Sequence, residues 1–237
     1  MSARTILDKY RLRPKWLRYL LGYFALFLGS ILTKVTVKGR HHIPDNGPYI
    51  VAVNHFSYID PPFVVYALQR PISFMGGSDQ VIEWYFRWAA WLYGFIPTNR
   101  TRLGPSTIKS AKQVLIKQDI LGIFPEGTST DRKLRTAKKG IVYLSTLNKT
   151  PILPVSIYGL IHVWPNWFRG IRPKVTVKIG KPFLPDQGLK KYVDREEQMK
   201  TIGENIICRI AALLPDDTHG IVKGDKRIAQ YVEENEN

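Results

Sequence analysis

Residues 54 to 60 read NHFSYID, and the residue types are those of acid–base chemistry. His55, one of five histidines in 237 residues, follows Asn54, and Asp60 stands five positions later. A neutral imidazole with one nitrogen free can take a proton from a hydroxyl. A carboxylate on the other nitrogen fixes the tautomer and stabilises the imidazolium. Five residues across a strand end, a turn and a helix start let Asp60 fold back onto His55. The same spacing also suits a structural role, with Asp60 capping a helix opened by Pro61 and His55 satisfying a turn.

Two further polar clusters follow apolar runs. Thr98-Asn99-Arg100 ends GFIPTNR, with Arg102, Lys109 and Lys112 close behind. A guanidinium at a strand end can clamp a phosphate through two parallel hydrogen bonds, although arginines are common on any surface. The stretch IFPEGTSTD sets Glu126, Gly127 and Thr128 after a strongly apolar run. Glycine there lets the backbone approach a ligand, and the nearby amides and hydroxyls can bind phosphate or a developing oxyanion. The alternative is a tight turn with a surface glutamate. A proline inside ILPVSIYG points to a sheet edge or to a bulge lining a pocket.

The elements that would hold these clusters are short apolar runs at 35–38, 49–53, 72–75, 95–98, 120–124, 152–158 and 174–179. Several lack polar alternation, as in strands covered on both faces. Helix starts lie between them, at Asp60-Pro61, at Gly104-Pro105-Ser106 and at Thr136. The expectation is an α/β fold: a single domain with a central, mostly parallel sheet of about seven strands flanked by helices. In such sheets ligands gather beyond the C-terminal strand ends, where all three clusters fall. The segment VTVK occurs at 35–38 and again at 175–178, and reads as two similar exposed strands.

Residues 1–34 read as a basic, hydrophobic, membrane-associating helical segment, 35–190 as the α/β core, and 191–237 as an amphipathic helix with a frayed polar tail. Arg4, Lys9, Arg11, Arg13, Lys15 and Arg18 precede fifteen uncharged, mostly apolar residues, YLLGYFALFLGSILT. As a helix that stretch reaches about 22 Å, short of a hydrocarbon core of roughly 30 Å. An interfacial or re-entrant helical pair broken near Gly22 or Gly29-Ser30 is expected, with Trp16, Tyr19 and Tyr23 at headgroup depth. A cleaved signal peptide is the rival reading. The excess of 35 Lys+Arg over 19 Asp+Glu, a net charge of +16, calls for a polyanionic neighbour. The expected location is the cytoplasmic membrane, monotopic or peripheral, with the core on the cytoplasmic side against anionic lipid. Positive residues run from Arg4 to Arg227 without a nucleic-acid motif, so no nucleic-acid partner is expected. The lone Cys208 excludes an internal disulfide and a cysteine-built zinc site, and no metal site is expected. A G-x-S-x-G elbow, a Walker A loop, a G-x-G-x-x-G after a strand and an H-E-x-x-H are all absent.

Taken in order, NHFSYID, GFIPTNR, FPEGTST and ILPVSI resemble the four motif blocks of the glycerolipid acyltransferase family. Its best-known members are the 1-acyl-sn-glycerol-3-phosphate acyltransferases, and the likeness runs over residues 35 to 185. The resemblance implies direct acyl transfer from acyl carrier protein or coenzyme A thioester to the sn-2 hydroxyl of 1-acyl-glycerol-3-phosphate. His55 would be the general base and Asp60 its orienting, charge-balancing partner. Asn54, Arg100, Glu126, Gly127 and Thr128 would serve substrate binding, and no cofactor beyond the thioester is implied. Two residues depart from the pattern. Ser129 stands where the third block often carries arginine, and Asn99 where an acidic residue commonly precedes the second-block arginine. Ser129 opens the alternatives of another lyso-lipid acceptor, such as lyso-ornithine lipid, or of glycerol-3-phosphate. A thioester hydrolase with the same base and a non-catalytic basic membrane-binding protein complete the readings.

Overall fold

The seven apolar runs form one sheet: β1 (Lys34–Lys38), β2 (Tyr49–Val53), β3 (Ile72–Gly77), β4 (Ile96–Thr98), β5 (Ile120–Ile123), β6 (Ile152–Tyr158) and β7 (Lys174–Ile179). The computed structural model describes residues 12–77, 87–99, 103–129, 132–147, 149–160, 163–185 and 194–236. The strand order is β1-β7-β6-β2-β5-β3-β4, and only β6 and β7 run antiparallel to each other. Every residue of β2 and β5 is buried, as continuous apolar strands at the centre of a two-sided sheet must be. The two VTVK segments lie side by side, Val35 opposite Val175 and Lys38 opposite Lys178. Their valines face the core, and Lys34, Lys38 and Lys174 are exposed.

One face of the sheet carries Ile50, Ala52, Leu121 and Ile123, covered by α4 (Pro105–Ile116), α5 (Lys139–Leu147), α7 (Arg195–Ala211) and α8 (Lys226–Glu236). The other face carries Tyr49, Val51, Val53 and Val155, covered by α2 (Asp60–Leu68) and α6 (Val163–Phe168). A further helix, α3 (Arg87–Tyr93), precedes β4, and α1 (Lys15–Leu32) lies against α2 and β1.

Three expectations are corrected. Residues Lys15–Leu32 of the N-terminal segment form one continuous helix, with no break at Gly22 or at Gly29-Ser30. Gly22 and Gly29 let α1 approach α2 closely: a Cβ on Gly22 would meet Val65 Cγ1 at 3.2 Å, and one on Gly29 would meet Tyr66 Cδ2 at 3.0 Å. Pro154 lies in an interior strand, between β2 and β7, so of the two expected settings the edge is wrong and the bulge is the one present. The proline fits because the ladder slips by one residue between the Val155–Ile179 and Ile152–Phe183 pairs, so no partner there needs the missing N–H. The tail is a helix, α8, which buries Ile228 and Tyr231 three residues apart and pairs Glu234 with Arg209 at 3.0 Å. The apolar residues Ile228, Ala229, Tyr231 and Val232 span little more than one turn, too short a run to signal a helix without its partner α7.

No helix among the described residues is long and apolar enough to cross a membrane. The described basic residues of the N-terminal flank turn toward the protein. Arg13 donates to the Trp91 carbonyl at 3.1 Å, Lys15 pairs with Asp119 at 2.5 Å, and buried Arg18 donates to Ser73 Oγ at 3.0 Å. The opposite face of α1 leaves Trp16, Leu20, Tyr23, Phe24, Phe27 and Ile31 exposed.

Candidate active site

The strand order explains why distant motifs meet. β2 lies between β5 and β6, and all three run in the same direction, so their C-terminal ends share one rim of the sheet. Asn54 is the first residue past β2 and is fully buried. Its amide donates to the Ile157 carbonyl at 2.9 Å, and its carbonyl oxygen accepts the Ile157 N–H at 2.8 Å. The side chain thus continues the β2–β6 ladder beyond the strand and delivers the next residue, His55, at a fixed height. Ile157 contributes only its backbone, for which its side chain offers no sequence signal.

The His55 ring is held on two sides. Its Nδ1 lies 2.9 Å from Asp60 Oδ2, and its face stacks on Phe124 with ring centroids 4.1 Å apart. Phe124 in turn stacks on Phe74 at 5.8 Å. Phe124 escaped the motif reading, although its place directly before Pro125-Glu126 could have marked it. With Nδ1 facing a carboxylate, the tautomer carrying hydrogen on Nδ1 is favoured, leaving the Nε2 lone pair for a substrate proton.

Asp60 does not cap α2. Ile59 occupies the cap position, and the Asp60 carboxylate turns back to accept the Ser57 N–H at 2.9 Å as well as the His55 contact. Its second oxygen, Oδ1, is buried without a hydrogen-bond partner among the described residues. Burial pushes the Asp60 carboxyl above the usual carboxylate range, while the hydrogen bond and charge of His55 and the backbone N–H groups of Ser57 and Phe56 pull it back down. A desolvated carboxylate with one oxygen unpaired gains most when its neighbour becomes an imidazolium. That is the balance a proton-accepting histidine uses.

Glu126 is 2% exposed, and its Oε1 accepts the His55 backbone N–H at 3.1 Å. Gly127 has φ of 73°, the left-handed region that favours glycine, and its N–H closes a turn on the Phe124 carbonyl at 3.0 Å. Thr128 follows on the half-buried side of that turn, its hydroxyl 3.5 Å from the Ser129 carbonyl. Arg100 lies outside the described residues. The strand before it, β4, is the far edge of the sheet, three strands or about 14 Å from β2 at the usual strand spacing. No cluster of three or more metal-ligating side chains occurs among the described residues.

A 1-acyl-sn-glycerol-3-phosphate acyltransferase of Chlamydomonas reinhardtii is 24% identical over 89% of this chain and 65% of its own length. The Mus musculus enzyme 1-acyl-sn-glycerol-3-phosphate acyltransferase alpha is 32% identical over 60% of the chain and 50% of its own. The Bacillus subtilis protein of the same activity name is 25% identical over 78% and 90%. The chain therefore spans half to two thirds of the length of the algal and mouse relatives, and most of the Bacillus one. The crystal structure of the 1-acyl-sn-glycerophosphate acyltransferase PlsC from Thermotoga maritima superposes with a TM-score of 0.59, at 24% identity, over 83% of this chain and 80% of that one. It shares the α/β fold. The family model described as Acyltransferase matches residues 34–158, which hold β1 through β6 and the whole His55 site, and so this chain belongs to the acyltransferase family.

Proposed function

We propose that this protein is an O-acyltransferase moving a fatty acyl group from an acyl thioester to the sn-2 hydroxyl of 1-acyl-glycerol-3-phosphate, giving phosphatidic acid. The donor is acyl carrier protein or coenzyme A thioester. The observation that carries this reading is the buried His55–Asp60 pair, 2.9 Å apart, at the end of the central strand. In this mechanism His55 Nε2 takes the proton of the attacking hydroxyl as its oxygen bonds to the thioester carbonyl carbon. Asp60 keeps the Nδ1–H tautomer and balances the imidazolium. Collapse of the tetrahedral intermediate breaks the C–S bond, and the proton on Nε2 goes to the departing thiolate. Ester and free thiol result, with no acyl-enzyme. Burial pushes the Cys208 thiol up to about 12, in keeping with a route that uses no protein thiolate.

The exposed aromatic and aliphatic face of α1, with the net charge of +16, supports a monotopic or peripheral seat on the cytoplasmic face of an anionic membrane. In this reading Arg100 meets the acceptor phosphate. Ser129, exposed in place of the expected arginine, favours a second reading with the same chemistry on another lyso-lipid or on glycerol-3-phosphate.

Purified protein in mixed micelles, offered each acceptor with each thioester, tests both. Transfer to lysophosphatidate that His55→Ala abolishes is the expected result. Transfer to a different acceptor alone would replace the substrate, and no His55-dependent transfer to any of them would overturn the reading.

A further inference from the structure

Glu126 is a buried carboxylate whose two oxygens each accept a backbone N–H, Oε1 from His55 and Oε2 from Arg135, both at 3.1 Å. Its donors belong to separate stretches of chain, the end of β2 and the loop that leads to α5. A carboxylate this deeply buried is costly unless strong donors meet it, and N–H groups of fixed backbone meet it here. At 2% exposure it has little surface to offer an acceptor molecule. What it does have is a grip on the residue bearing the imidazole. Asn54 ties the end of β2 to β6 through Ile157, and Glu126 ties it to the turn after β5. The backbone at His55 is thus held from both flanking strands, which leaves the ring torsions to be set by Asp60 and Phe124.

We propose that Glu126 is a positioning residue for acyl transfer, a carboxylate strap that holds the His55 backbone at the height from which Nε2 reaches the hydroxyl. This rests on the reading of His55 as the general base. Displacing a catalytic group by about 1 Å lowers a rate by roughly 100-fold, so a strap on the main chain of the base acts on kcat while leaving acceptor affinity alone.

The test uses two variants of the full chain. Glu126→Gln keeps the size but turns an NH2 group toward one of the two N–H donors. Glu126→Asp keeps the charge but is one methylene too short to reach both. For each, kcat and the acceptor KM are measured per folded molecule. The hydrogen-bonded Nδ1–H resonance of His55 is followed in histidine-labelled protein and assigned by its loss in His55→Ala. The expected result in either variant is a fall in kcat of roughly 10- to 100-fold with KM within about twofold, together with a shifted or broadened Nδ1–H signal. A rise in KM at constant kcat with the signal unmoved would make Glu126 an acceptor ligand and overturn the proposal. So would a lowered melting temperature with kcat and signal both unchanged, the mark of a purely structural carboxylate. Because the resonance needs no substrate, a moved signal in a protein that transfers no acyl group would uphold the strap and defeat the acyltransferase reading alone.

Discussion

Replacing Asp60 by asparagine should separate activity from stability. The side-chain oxygen of the new amide can accept the His55 Nδ1–H and Ser57 N–H bonds that Oδ2 accepts now, both at 2.9 Å, so the ring orientation is largely retained. What disappears is the negative charge beside the imidazolium. Two unit charges about 4 Å apart at an effective dielectric of roughly 20 attract by about 4 kcal/mol, which corresponds to a kcat loss of about three orders of magnitude. Stability moves the other way. The folded-state pKa of Asp60 is raised by burial, so the folded chain holds this proton more tightly than the unfolded one. A raised pKa contributes stability that is present below the unfolded value and is lost as pH climbs through the folded value. Once ionised, Asp60 is therefore a net burden on the fold. The melting temperature of Asp60→Asn should exceed that of the wild type at about pH 7, and the gain should shrink toward about pH 4. Steady-state acyl transfer and calorimetry at the two pH values check this. A variant that keeps kcat within about threefold would refute the electrostatic role, because the geometry is retained and only the charge is gone. A variant that melts lower at both pH values would refute the description of Asp60 as a destabilising buried charge.

Asn54→Ala removes the donor and acceptor that serve Ile157 at 2.9 and 2.8 Å and leaves two buried backbone groups short of a partner. At about 1.5 kcal/mol each the loss is about 3 kcal/mol, or roughly 6–12 °C in melting temperature for a chain of this size, read by calorimetry. Activity should fall as well, since His55 follows directly. Gly22→Leu drives a side chain into Val65, where even a Cβ would stand 3.2 Å from Cγ1. Overpacking there should cost about 1–3 kcal/mol and lift α1 from α2, seen as faster limited proteolysis between residues 12 and 33.

The legible part of this protein is the part that depends on local pattern. β2 and β5 could be read directly because a strand buried on both faces is a continuous apolar run, whatever its neighbours are. His55 and Asp60 could be paired on paper because only five residues separate them. The remaining features depend on which strand lies beside which. Parallel neighbours are joined by long crossovers, and nothing in NHFSYID says that β5 and β6 flank it. That order alone carries Ile157 to Asn54 across 103 positions and Glu126 to His55 across 71. It decides between the edge and the bulge that a proline in ILPVSIYG suited equally, placing Pro154 in the interior at a slipped ladder. The same dependence on partners governs the ends of the chain. Arg18 looked like part of a basic flank until α1 packed it against Ser73, and a polar tail became a helix once α7 offered a surface for Ile228 and Tyr231. Residue type and spacing determined which groups could do chemistry. Tertiary packing decided which of them are buried, charged and aimed, because desolvation and backbone hydrogen bonding are supplied by residues far away along the chain.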